Sequence, residues 1–357
     1  MEPFTYESLA QRVVFGTGTL ATVGDELDRL GRKRALLVTT AGHAVKGQRL
    51  ADDLGSRCVG HYAGAAVHTP VSVTNDAMAG VRELEIDAVI ALGGGSAIGL
   101  GKAIAVRTDL PQIVIPTTYS GSEATPTLGE TEHGRKTSRR DAKILPEVII
   151  YDVALTLTLP VPITVVSGLN AMAHAVEALY AKDRNPITSA LAERGMASLV
   201  TALPALVADP LDVGARSEAL VGAWASGSCL AVVGMALHHK ICHALGGSFD
   251  LPHAETHAVV LPHAVAYNER AVRQALLPVA RVCGSATAAD GLWTLARQLG
   301  APTTLAQLGM KEADLDRAVE VALQNPYWNP QPIIAADVRA LLQNAFFGRP
   351  PGTIPLS

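Results

Sequence analysis

Apolar and polar positions alternate with two different textures along this chain, and the change falls near residue 160. Before it, apolar runs of strand length recur at residues 34–40 (RALLVTT), 88–92 (AVIAL), 112–116 (QIVIP) and 148–152 (VIIYD). Between them lie segments with helical spacing, such as 20–30, 72–84 and 97–107. Short runs this apolar are buried on both faces, and their alternation with helices predicts a parallel sheet covered by helices. After LTLTLPVP (157–162) strand-like runs nearly vanish. Ala-rich stretches with helical period follow at 167–182, 187–208, 213–232, 235–246, 271–282 and 288–299. Pro160 and Pro162 mark the predicted boundary, giving an α/β domain over 1–160 and an all-helical domain over 161–357. Residues 12–15 read as a sheet-edge strand, and the terminal FFGRPPGTIPLS as irregular.

Composition sharpens this picture. Of 357 residues, 48% are hydrophobic and 17% charged, which supports a large core and excludes disorder. Only 4% are aromatic, so the core is built from Ala, Val, Leu and Ile. The net charge of −4 is spread without a basic stripe or basic amphipathic helix, so neither a nucleic-acid nor a membrane partner is expected. The N-terminal residues carry early acids and no apolar core segment, unlike a signal peptide. The most apolar stretch, 87–106, contains five glycines and Lys102, a poor composition for a membrane span. Cys58, Cys229, Cys242 and Cys283 have no paired spacing and read as reduced thiols of a cytoplasmic protein.

Two stretches of the first half suit a nucleotide. In AVIALGGGSAIGLGKAIA (88–105), glycines separate a strand from a helix, so backbone N–H groups at the helix start can meet a diphosphate. The pattern is neither the GxGxxG fingerprint nor a Walker loop, and a tight strand–helix turn is the plain alternative. Gly94, Gly95 and Ser96 are the candidate contacts. IPTTYSGSEATPT (115–127) follows the next strand, where ligands collect in parallel sheets. Thr117, Thr118 and Ser122 are candidates there, against the alternative of a polar turn-rich loop. The second strand ends in Thr39 and Thr40 with no acid, so a 2′-phosphate meets no repulsion near Thr40. NADPH is therefore expected beside NADH.

The second half concentrates histidine. In GLNAMAHAVEALYA (168–181), Asn170 and His174 are four residues apart and share a helical face. Six of eleven histidines fall within 238–263, where uniform spacing would give about one. His239 and His243 are again four apart; the two glycines after Leu245 are expected to end that helix and leave His253 in the next loop. His238, His257 and His263 read as structural neighbours of that group.

Taken together, GGGSAIGLGKAIA, PTTYSGSE, NAMAHAVEA and HHKICHALGGSFDLPH resemble the iron-containing alcohol dehydrogenase superfamily over nearly the whole chain. The resemblance implies the dehydroquinate synthase-like fold: an N-terminal dinucleotide-binding domain, an all-α C-terminal domain and an active site in the cleft between. It also implies a homodimer, which a sheet-edge strand can support. In metal-dependent members the ion is held at positions that correspond here to Asn170, His174, His239 and His253. The first of these is a carboxylate in that pattern and an amide here, so divalent affinity is expected to drop. The superfamily's frequent Asp three residues after GGGS is Gly99 in this chain.

PTTYSGSEATP, IYDVALTLTLP, GLNAMAHAVEALYA, HHKICHALGG and NPYWNPQP are similar to a branch of the superfamily that works without metal. That branch reduces 2-maleylacetate to 3-oxoadipate with NADH or NADPH, in bacterial catabolism of resorcinols, hydroxyquinol and chlorinated aromatics. Imidazoles released from metal duty can supply both the proton and the enolate hydrogen bond, so His243 and His253 are expected to share these two roles, in either order, with His174 and His239 shaping an anion pocket. Lys136 is implied near the cofactor. Candidate substrate contacts are Tyr119, Asn170, Tyr327 and Arg139, which with Arg140 could equally be surface charge on a loop. Rival readings are a metal-dependent alcohol or polyol dehydrogenase, a carbon–oxygen lyase of the dehydroquinate-synthase type, and a non-catalytic nucleotide-binding protein.

Overall fold

A computed structural model describes residues 3–133, 135–324 and 326–352. Asn325 of the NPYWNPQP motif and residues 353–357 of the C-terminal tail lie outside them. The chain divides into two compact units, one of Leu9–Leu159 and one that joins the residues from Pro160 onward with the N-terminal residues up to Ser8.

The first unit is built on six parallel strands in the order β1-β8-β5-β4-β2-β3. They are β1 (Arg12–Gly16), β2 (Ala35–Val38), β3 (Cys58–Tyr62), β4 (Ala88–Gly93), β5 (Gln112–Pro116) and β8 (Val148–Asp152). Every residue of β2, β4, β5 and β8 is buried, the state their unbroken apolar runs require. Helices α1 (Val23–Arg29), α2 (Ala44–Leu54), α3 (Val71–Glu83) and α4 (Gly95–Thr108) connect the strands. One core gathers Leu37, Ile90, Leu92, Ile113, Ile115 and Ile150 with Val23 and Leu27 of α1 and Leu50 and Leu54 of α2.

Two features escape the apolar pattern. Strand β3 reads CVGHY, a half-buried edge segment whose Gly and His interrupt the run. The segment carrying Lys136, Arg139 and Arg140 is no loop: β6 (Thr127–Glu132) and β7 (Arg135–Arg140) form an antiparallel hairpin. Its strands are polar, TLGETE and RKTSRR, and are held by backbone ladders and by Glu130, which pairs with Arg139 at 2.9 Å and Arg107 at 2.8 Å.

The second unit is helical: α5 (Val161–Leu179), α6 (Pro186–Ala208), α7 (Val213–Leu230), α8 (Leu237–Phe249), α9 (His253–Val282), α10 (Ala288–Gln298), α11 (Leu315–Ala322) and α12 (Ala335–Phe347). Helix α6 is long and apolar enough to cross a membrane, but Ala192, Met196, Leu199, Leu203 and Leu206 face the interior of the unit. The turn between α8 and α9 corrects an expectation. The glycines after Leu245 stay helical, and the helix ends at Asp250, in the left-handed region with φ 54°. Pro252 then caps α9, so His253 is the first residue of a helix rather than a loop residue. That places His253 and His257 one turn apart on α9.

Candidate active site

In the α/β unit, the carboxyl ends of β2, β4 and β5 lie side by side, because these strands are neighbours in the sheet. Gly93 closes β4 with φ +148°, and Gly94 caps α4, which starts at Gly95. A Cβ on Gly94 would meet Thr118 Cγ2 at 2.9 Å, so glycine there lets the two loops approach. Nothing lies within 4 Å of a Cβ built on Gly95, which leaves the start of α4, with Ser96 in its first turn, open to a ligand. Thr117 N–H donates to Gly93 O at 3.1 Å. His43 joins the third loop: its Nδ1 lies 3.2 Å from Thr40 Oγ1 and its Nε2 3.5 Å from Thr117 Oγ1. Gly94, Gly95, Ser96, Thr117, Thr118, Thr40 and Ser122 are thus gathered at one end of the sheet, and Tyr119 between them is fully buried.

Beneath these loops lies a network that sequence reasoning missed. Lys102 of α4 is buried, and its Nζ donates to Ser122 O, to Thr125 O at 2.8 Å, to Thr125 Oγ1 at 3.1 Å and to Thr127 O at 3.0 Å. One side chain so ties the glycine-rich helix to the Thr/Ser loop. Burial pushes its pKa down to about 7, while Glu123 draws it back up. Glu123 is itself buried, which raises its pKa, and it accepts from Tyr151 Oη at 2.9 Å. The sequence signal was a lysine inside an otherwise apolar helix, GLGKAIA. Lys136 and Arg139 lie outside this group, on β7, where Arg139 is engaged by Glu130.

In the helical unit, α5 presents Asn170, His174 and Glu177 at i, i+4 and i+7, all buried. Helix α8 supplies His238, His239 and His243, and α9 supplies His253 and His257. The rings form one continuous group. His174 stacks on His239 at 5.2 Å between centroids, His239 meets His243 edge-on at 6.2 Å, and His253 meets His257 at 4.4 Å. His238 and His257, read from sequence as bystanders, close the group at 4.8 Å from each other and 5.1 and 5.0 Å from His239. His263 is separate, packed against Trp293 at 5.5 Å.

Glu177 is the organiser that sequence reasoning passed over. One carboxylate oxygen accepts from His239 Nδ1 at 2.5 Å and the other from the His238 N–H at 2.9 Å. Burial alone would raise its pKa; the His239 ring that hydrogen-bonds to it, followed by His238, holds it below the ordinary carboxylate value instead. The available signal was its spacing, one turn after His174 on the face shared with Asn170. The NPYWNPQP segment braces the start of α8: Asn329 Oδ1 accepts from Leu237 N–H at 3.3 Å, while its amide pairs with Asn268 of α9 at 2.7 Å. Tyr327 packs against the core of the unit with its hydroxyl buried, and Lys240 Nζ sits 5.2 Å from its ring centroid.

The fold and these two groups define a family. Residues 10–153 match the model described as iron-containing alcohol dehydrogenase, and residues 164–346 match the C-terminal model of the Fe-containing alcohol dehydrogenase family. The chain belongs to the iron-containing alcohol dehydrogenase family and is an oxidoreductase. Within it, the chain is 54% identical to a maleylacetate reductase of Rhizobium sp. strain MTP-10005, over 98% of this chain and 100% of that one. It is 48% identical to a maleylacetate reductase of Sphingobium indicum, over 98% and 99%. The crystal structure of maleylacetate reductase from Agrobacterium tumefaciens superposes with a TM-score of 0.94 at 54% identity, covering 98% and 100% of the two chains.

Ferrous sites of this kind combine imidazoles with at least one carboxylate, whose charge offsets the ion. The positions corresponding to the metal ligands, Asn170, His174, His239 and His253, offer an amide and three imidazoles, with no anion. Glu177, the carboxylate nearest in sequence, is already committed to His239 and the His238 N–H. The set does not fit the family's iron.

Proposed function

We propose that this chain reduces the C=C bond of 2-maleylacetate to give 3-oxoadipate, with NADH or NADPH as hydride donor and no catalytic metal, in bacterial breakdown of aromatic compounds. Full-length relatives named maleylacetate reductase, at 45–54% identity, support the substrate. The observation that carries the metal-free step is Asn170 in place of a carboxylate, beside a buried imidazole cluster.

The residues suit conjugate reduction. Hydride adds to the carbon β to the ketone, the C=C electron pair shifts, and negative charge develops on the ketone oxygen as an enolate. A hydrogen-bond donor must hold that oxygen and an acid must protonate the α carbon. His243 and His253 supply these two functions, and His174 and His239 shape the pocket for the anion. Glu177 fixes the His239 tautomer with the proton on Nδ1. Gly94, Gly95 and Ser96 at the start of α4 receive the cofactor diphosphate, and the Thr117–Ser122 loop receives its nicotinamide end. Thr40 with His43 leaves the ribose site without an acid, so both cofactors are used.

The test is NADH oxidation with 2-maleylacetate, with and without EDTA treatment, alongside metal analysis. Turnover unchanged by EDTA is expected. Activity that vanishes with EDTA and returns with Fe²⁺ would overturn the metal-free step.

A further inference from the structure

We propose that His238, His239 and His257 form a buried site for one late first-row divalent ion, of the Zn²⁺, Ni²⁺ or Cu²⁺ class, separate from the family's ligand positions. One ring nitrogen from each residue lies within 4.8 Å of the other two, and all three side chains are buried. Only His239 is shared with the positions that correspond to the family's iron ligands.

Hydrogen bonding prepares these rings as ligands. His239 Nδ1 donates to the Glu177 carboxylate, so its Nε2 carries a lone pair, and that atom has no hydrogen-bond partner. His238 Nε2 faces the His257 carbonyl oxygen at 3.2 Å and must donate, which leaves a lone pair on Nδ1, also without a partner. His257 has no partner at either nitrogen and is wholly inaccessible. A buried polar atom left unpaired is destabilising, so a cluster of them in one place calls for an occupant.

The donor set selects the ion. Imidazole nitrogens favour the late transition metals, whereas Mg²⁺ and Ca²⁺ require oxygen. Glu177 behind His239 makes the carboxylate–histidine arrangement that orients ligands in metal sites and adds a negative charge beside the cation. Metal–nitrogen bonds of about 2.1 Å require the ring nitrogens to close by about an ångström, within reach of small ring rotations. An ion bound here seizes His239 and so inhibits the reductase; that consequence alone rests on the function proposed above.

The experiment is titration of chelator-stripped protein with Co²⁺, read by its visible ligand-field bands. One equivalent is expected to bind. His257→Asn and His238→Asn should each weaken binding by more than about tenfold, and Asn170→Ala should leave it unchanged. No uptake by the wild-type protein, or uptake lost in His174→Ala yet kept in His257→Asn, would overturn the site. If a variant fails to fold, the wild type still decides. Loaded with Cu²⁺ and exposed to ascorbate and oxygen, it should oxidise at His238 and His257 by mass spectrometry; oxidation confined to His174 and His253 rejects the proposal. Both readouts are independent of turnover, so an inactive reductase and an absent site are told apart.

Discussion

Glu177 on α5 and His239 on α8 are joined through a fully buried carboxylate–imidazole hydrogen bond of 2.5 Å, across 62 residues of sequence. The same carboxylate caps the N-terminal turn of α8 at His238. It therefore sets both the position of the helix and the tautomer of the ring. Glu177→Gln keeps the shape but removes the charge, and should lower kcat by about 10–100-fold. The cofactor KM should be unchanged. Steady-state kinetics check both, and a kcat within a factor of two of wild type would show that His239 is held by packing alone.

His243 lies one turn beyond His239 on α8 and meets its ring edge-on. If it donates the proton or holds the enolate, His243→Ala should cut kcat by about two to four orders of magnitude. Activity within a factor of a few would remove it from the chemistry.

Lys102 donates to three backbone carbonyls and one hydroxyl of the Ser122–Thr127 loop. Lys102→Met preserves length and loses those bonds. With the Thr117–Ser122 loop as the proposed nicotinamide site, the cofactor should bind about tenfold more weakly once that loop is no longer pinned to α4. The carbonyls left buried should cost stability of about 1–3 kcal/mol each. Cofactor titration followed by fluorescence, with thermal unfolding, separates the two effects.

Gly99, where the superfamily often has an acid, packs tightly against Thr69. A Cβ there would lie 2.4 Å from Thr69 Oγ1. Thr69 is buried in the left-handed region with φ 46°, strained for a β-branched residue. Gly99→Ala should destabilise the protein by about 1–3 kcal/mol. Thr69→Gly in the same chain should recover most of that loss, and a double-mutant cycle by chemical denaturation reports the coupling.

Acid should unfold the protein through its histidines. Burial pushes His238 and His263 down to about 4, and His257 well below its ordinary value of 6.5. The unfolded chain takes up protons near 6.5 that the native state refuses, so the stabilisation is complete above 6.5 and is lost as pH falls towards 4. His238 and His263 each contribute on the order of 3 kcal/mol across that window, and His257 acts in the same direction. Denaturant midpoints measured between those limits should fall steadily, and His263→Phe should flatten the slope by about one proton.

The sequence alone determined the division of labour. Unbroken apolar runs such as VIAL and VIIY can only be satisfied inside a parallel sheet, and Ala-rich periodic stretches only as packed helices, so both halves were legible from local pattern. The shared face of Asn170 and His174 followed from helical spacing, and the loss of the carboxylate from residue identity. Tertiary structure decided what pattern cannot carry. The β6–β7 hairpin is made of polar strands paired by backbone, which leaves no apolar period to read. His253 moved from a loop to the start of α9 because the chain turns at Asp250 and Pro252, not at the glycines. Above all, Glu177 reaches His239, Lys102 reaches the Thr/Ser loop, and His238 and His257 join the cluster only once separate helices pack. Hydrogen bonds and ring contacts between residues distant in sequence are set by that packing, and no local propensity encodes them.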